Sequence, residues 1–165
     1  MTADPSAQPN FFELYLNEQK AAWQNHYSAT IFSVFDHWLS EEDAKALLDP
    51  YCAQIAGDKA SGISPLEIER PYLAFFEAAA QHGRLIRWRG DQQQLIDNLA
   101  DARSVALQAA REVKPLQLVE TNTQTHILPL HDLTLLAAVP IGQSLDPAAQ
   151  WAADAGLHEL WRSDS

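Results

Sequence analysis

Apolar side chains recur every three or four positions through the first quarter of the chain. Trp23, Tyr27, Ile31, Val34, Phe35 and Trp38 form one stripe, and Phe11, Phe12, Tyr15 and Leu16 begin another before the polar NEQK. This period predicts one long helix or two consecutive ones between Asn10 and Leu39, with Asn10 as N-cap. Ser40 opens the next helix, with Glu41, Glu42 and Asp43 in a first turn where the helix dipole favours anions. Ala44, Leu47 and Leu48 are expected to point inward. Pro50 predicts a break or kink at Asp49, with the helix resuming from Tyr51 to Ile55.

Residues 57–65, GDKASGISP, have the composition of a loop. Ser64, Pro65 and Glu67 then make a capping-box pattern with proline at the first helical position. Pro71 leaves open a start at Arg70 instead. The helix carries Tyr72, Leu73, Phe75, Phe76 and Ala79 towards a cap at Gly83. A short β-favouring run, residues 84–89, stands between two glycines and predicts a strand. Asp91 is expected to cap a long helix with Leu95, Leu99, Ala102, Ala106, Ala109 and Val113 on one face, ended by Pro115.

Beyond Pro115 the pattern changes to sheet. Residues 116–120 and 125–129 flank TNTQ, in which Asn122 suits a left-handed turn position. Pairing Glu120 with Thr125 sets Leu118 opposite Ile127 and Leu116 opposite Pro129, which gathers apolar side chains on one face. Pro129 cannot donate to a ladder and predicts an edge position. Residues 133–139 are apolar on both faces and read as a central strand. Asp146 and Pro147 open a last helix that stops at Gly156, and Leu157, Leu160 and Trp161 dock the tail.

The order predicts an α+β fold: a helix-rich N-terminal two-thirds packed on a small, mainly antiparallel sheet of residues 84–89, 116–120, 125–129 and 133–139, with a C-terminal helix. Residues 1–10 read as a flexible arm and 11–165 as a single domain. That arm lacks the basic start and apolar core of a secretory signal, no apolar run is long enough to cross a membrane, and Cys52 is the only cysteine. A cytoplasmic location is the expectation.

Charge narrows the partners. The net charge is −11, with eight acidic and two basic residues in 1–50, eight of each in 51–114, and six against one in 115–165. Such a field opposes nucleic acid and anionic membrane surfaces and attracts basic proteins. Arg84, Arg87 and Arg89 are the one basic cluster, expected to pair with the surplus acids rather than to receive an anionic ligand.

Candidate chemistry is sparse. THILPLHDLTLL, residues 125–136, holds His126, His131 and Asp132, but alternation sets the two histidines on opposite faces of a strand, and turn chemistry explains Asp132. It reads as sheet. No histidine pair has metalloprotease spacing, and no nucleophile elbow, phosphate loop or dinucleotide fingerprint occurs. Cys52 reads as a small core residue. No catalytic residue, metal site or cofactor is assigned.

The leading expectation is a protein-binding module that neutralises a basic protein partner, most concretely a bacterial immunity protein acting as a toxin inhibitor. Its candidate partner-binding residues are Asp36, Trp38, Glu41, Glu42, Asp43 and Asp49, acids to steer association beside an aromatic anchor. Two alternatives stand beside it: a chaperone or adaptor for a secreted protein, and an enzyme whose site gathers distant residues such as His37, His126, His131 and the arginines. Oligomeric state is not legible.

Overall fold

The structure, a computed structural model, describes residues 10–17, 20–90, 92–113 and 116–163. The expected N-terminal arm lies outside these residues except for Asn10, as do Asp91 and Pro115. The described chain is a mixed α/β fold built on one antiparallel sheet. The strands are β1 (Tyr27–Ser33), β2 (Leu85–Arg89), β3 (Gln92–Ile96), β4 (Gln117–Glu120), β5 (Thr125–Pro129), β6 (Thr134–Pro140) and β7 (His158–Arg162), in the order β3-β2-β4-β5-β6-β1-β7. The helices are α1 (Phe11–Leu16), α2 (Lys20–Gln24), α3 (Glu41–Ile55), α4 (Pro65–His82), α5 (Leu99–Ala110) and α6 (Asp146–Ala155).

Helices cover both faces of the sheet. On one, α3 to α6 contribute Tyr51, Tyr72, Phe75, Phe76, Val105 and Trp151 to a core closed by Phe32, Leu85, Leu118, Ile127 and Leu135. On the other, Phe11, Phe12 and Trp23 from α1 and α2 pack on Tyr27, Ala29, Leu128, Leu136 and Ala138. Strand β6 supplies side chains to both layers and is buried at every position, as a central strand requires.

The same two-sided burial corrects the reading of the first stripe as helix. Residues 27–33 form β1, inserted between β6 and β7. Its sequence, YSATIFS, is buried or half-buried throughout, so no polar alternation revealed the strand. The predicted helix from Asp91 is also corrected. Gly90, at φ 62°, turns the chain so that Arg89 faces Gln92, and β3 forms where helix was expected. Helix α5 starts later, where the Asn98 side chain accepts from the Asp101 N–H at 2.8 Å. After α6 the tail docks as an edge strand, so the described chain ends in β7 rather than a helix. The sheet therefore has seven strands, three of them within the part expected to be mainly helical.

Two expected caps and the β4–β5 register hold, while several finer expectations do not. Asn10 accepts from Phe12 N–H, and Ser40 and Asp43 form a reciprocal capping box. The β4–β5 register sets Glu120 opposite Thr125 and Leu118 opposite Ile127. Pro129, however, is not on an edge strand, because β5 lies between β4 and β6. It stands at the strand end, beyond the last β4 pair at Ile127. In the β4–β5 turn Gln124, not Asn122, takes positive φ, and the buried Glu120 carboxylate organises the turn by accepting from the Asn122 and Thr123 N–H groups. Gly83 approaches this carboxylate so closely that a Cβ there would lie 1.8 Å from Glu120 Oε1. Helix α3 runs unbroken through Pro50, with Tyr51 anchored one residue later, while Leu47 points outward. Helix α4 begins at Pro65 and contains Pro71.

His126 lies on the sheet face under α1, its ring 5.2–5.5 Å from those of Phe11, Phe12 and Tyr27. Its Nδ1 is buried without a hydrogen bond among the described residues. Burial pushes its pKa down to about 4, so the native state holds it neutral. The unfolded chain takes up the proton first as pH falls, so stability is intact above the ordinary value of 6.5 and declines between there and about 4. The full loss is roughly 3 kcal/mol at 1.4 kcal/mol per pKa unit. Urea denaturation at pH 7 and pH 5 should show His126→Phe losing about 2 kcal/mol less than the native chain over that interval.

Candidate partner-binding surface

Strands β5 and β6 are joined by a turn that donates Thr134 N–H to His131 C=O at 3.2 Å, while Leu130 N–H donates to Thr134 C=O at 2.8 Å. Both central residues, Asp132 and Leu133, have φ 57°. The left-handed region is strained for a leucine, and the burial of Leu133 in the helical core offsets that cost. Across from the turn, α5 ends in a Schellman motif: Glu112 N–H donates to Ala109 C=O and Val113 N–H to Gln108 C=O. Glu112, at φ 51°, occupies the position that usually belongs to glycine. Its carboxylate accepts from Asp132 N–H at 3.1 Å and lies 3.5 Å from His131 Nδ1, stitching the helix end to the turn.

Three cavities meet here. The first, about 460 Å³, runs between α3 and the end of α5. Its floor includes Leu48, Ile55 and Leu133, and Glu41, Asp49, Glu112 and Asp132 stand along its rim. The second, about 420 Å³, shares Glu112 with it and is walled by Tyr15, Leu16 and Leu128. The third, about 310 Å³, shares Asp132 with the first and is walled by His37, Trp38, Leu130 and Leu160. Trp38 is 56 % exposed and Leu16 57 % exposed, so aromatic and aliphatic surface borders the acids.

The cations of the first cavity are largely neutralised. Lys45 donates to Glu41 at 3.0 Å. Arg111 forks onto the fully buried Glu69 through Nε at 2.6 Å and Nη2 at 3.0 Å, and Tyr51 donates its hydroxyl to the same carboxylate. This arrangement drives the Tyr51 pKa up, through burial first and the neighbouring Glu69 second. Asp49 and Asp132 have no ion pair among the described residues, which leaves the groove negative.

The six expected residues are only partly united. Glu41 and Asp49 flank the first cavity, and Trp38 walls the third. Asp36 and Asp43 hold His37 from two sides, at 2.6 and 3.5 Å. The hydrogen bond to Asp36 raises the His37 pKa. Asp43 also serves the capping box, and Glu42 lines none of these cavities. Glu112, Asp132 and Tyr15 complete the surface without having been picked out as contact residues. Glutamate at a helix end where glycine is usual was the one hint.

Cys52 is exposed in the first cavity rather than buried in the core. Partial burial, then the nearby carboxylates, push its thiol pKa up, the reverse of an activated nucleophile. The dispersed residues are only partly gathered: His37 and His131 share the third cavity, His126 is packed under α1, and Arg84, Arg87 and Arg89 lie at the start of β2 and along it. No group of three or more metal-ligating side chains occurs among the described residues, and none of their helices is long and apolar enough to cross a membrane. Comparison with protein-family models, curated proteins and solved structures returns no match.

The Glu69 pair should be a strong determinant of the groove, since removing Arg111 strands a fully buried carboxylate. Arg111→Ala is expected to cost about 3 kcal/mol in urea denaturation, and Glu69→Ala less, because the Arg111 side chain is one-third exposed to water. The double variant should lose clearly less than the sum of the two.

Proposed function

We propose that this protein binds and neutralises a basic protein partner through the face around the 130–133 turn. The observation that carries this reading is the rim of Glu41, Asp49, Glu112 and Asp132 over an apolar floor, opening at Asp132 onto a cavity walled by exposed Trp38. Carboxylates of one sign steer a basic partner into encounter, and a tryptophan beside an apolar groove supplies the desolvated contact that slows dissociation. The most concrete form is a cytoplasmic bacterial immunity protein, whose acids occupy the cationic site with which a toxin holds its substrate.

The test begins with affinity capture from the native host at low and moderate salt, followed by stopped-flow binding to the isolated partner. Combined Glu41→Lys, Asp49→Lys and Asp132→Lys should slow association at least about tenfold at low salt and flatten its salt dependence. Glu42→Lys should change the rate far less. Trp38→Ala should speed dissociation by about tenfold or more. Association unchanged in the triple variant would remove this face from the interface. For the immunity form, co-expression should protect cells from the partner's toxicity and the triple variant should not.

A further inference from the structure

The two outer strands of the sheet are built differently. Strand β7 meets β1 through a register shift at Ile31 and Phe32, and it carries a forked ion pair between Arg162 and Glu159. Bulges and charges of this kind protect an edge from adding another strand. Strand β3 has neither. It pairs with β2 in unbroken register from Arg89 opposite Gln92 to Leu85 opposite Ile96. Its sequence, QQQLI, contains no charge and no proline, and its first four residues are exposed. Beyond the β2 ladder, no further backbone hydrogen bond is found for residues 92–96 among the described residues.

The strand behind this edge carries the basic cluster. Arg103, Arg111 and Arg162 are each ion-paired, but the side chains of Arg84, Arg87 and Arg89 have no hydrogen bond or ion pair among the described residues. The expected pairing with the chain's surplus acids is not made among the described residues. Arg87 is the most telling, at 6 % exposed with its Nε buried and unpartnered, opposite Gln94 of the edge strand. A buried guanidinium donor without an acceptor is costly, and an arriving anion relieves that cost. At the end of β3 a cavity of about 500 Å³ is walled by Arg84 and by Leu95 and Leu99, which are 47 % and 46 % exposed, with Asp97 the acidic group on its lining.

We propose that β3 is a strand-addition site for an extended acidic peptide segment of a partner protein. Its backbone pairs with the outer edge of residues 92–96, its alternate carboxylates meet Arg87 and Arg89 on one face of β2, Arg84 adds positive charge at the end cavity, and one apolar side chain rests on Leu95 and Leu99. Main-chain pairing supplies affinity, and the arginines select the charge. The site is independent of the acidic face around the 130–133 turn, with β2 and β4 between β3 and β5.

The experiment uses the full chain and two fluorescein-labelled octapeptides, one alternating threonine with glutamate and one alternating threonine with lysine, read by fluorescence anisotropy. A protein of net charge −11 favours the lysine peptide everywhere except at this edge. The glutamate peptide should bind at least tenfold more tightly than the lysine peptide to the native chain. Arg84→Gln with Arg89→Gln, both at exposed positions, should abolish that preference without unfolding the chain. Amide hydrogen exchange should slow at alternate residues of 92–96 when the glutamate peptide is added. Equal affinities, or protection elsewhere than β3, would overturn the proposal. Concentration-dependent dimerisation that protects residues 92–96 without peptide would also overturn it, assigning the edge to a second copy of the chain.

Discussion

A single carboxylate, that of Glu69, holds three helices in their places. It lies inside the helical layer with no solvent exposure, where an unpaired charge would be intolerable. Tyr51 reaches it from α3 and Arg111 from the end of α5, so both elements are tied to α4. Tyr51 also lies within hydrogen-bonding distance of the Ala110 carbonyl, 3.3 Å away. The arrangement satisfies the charge and sets the separation of α3 from α5, which is the width of the acidic groove. It also consumes the positive charge of Arg111 internally. The rim above the apolar floor therefore remains dominated by carboxylates although an arginine stands within it.

The groove depends equally on positions where the backbone is least comfortable. Glu112, Asp132 and Leu133 all hold left-handed conformations, and all three line the same cavity. Glycine at any of them would be easier for the backbone. At Glu112 the side chain is needed to hold the turn, and at Leu133 it fills the core. The strain places two carboxylates from distant parts of the chain opposite those of α3.

How much of this was legible follows from the range of each interaction. Caps were readable because Asn10 and Ser40 act within three residues of themselves, and the β4–β5 hairpin was readable because Glu120 and Thr125 are neighbours in both sequence and space. Strand β1 was not, since its apolar positions fit a helical period and the layers covering its two faces come from elsewhere in the chain. Strand β3 was hidden because Leu95 and Leu99 continue the helical spacing of α5, whereas Asn98 and the turn at Gly90 decide the local structure. For the binding face, Glu41 was visible at a helix start and Asp49 as one more acid eight residues on. Their partners across the groove, Glu112 and Asp132, lie more than sixty residues away from them.

The insertion of β1 between β6 and β7 has a consequence for the birth of the molecule. A nascent chain exposes β1 early, yet both strands that flank it arrive roughly a hundred residues later. At ordinary translation speeds, that is an interval of about 5–20 s. Throughout it, a strand buried on both faces in the finished protein lacks both flanking strands, although α1 and α2, which cover one of its faces, are already made. The sheet must close backwards, from strands made later to one made early. Its ladder is completed only after β7 has been made, and pairing across so long a separation makes folding correspondingly slow.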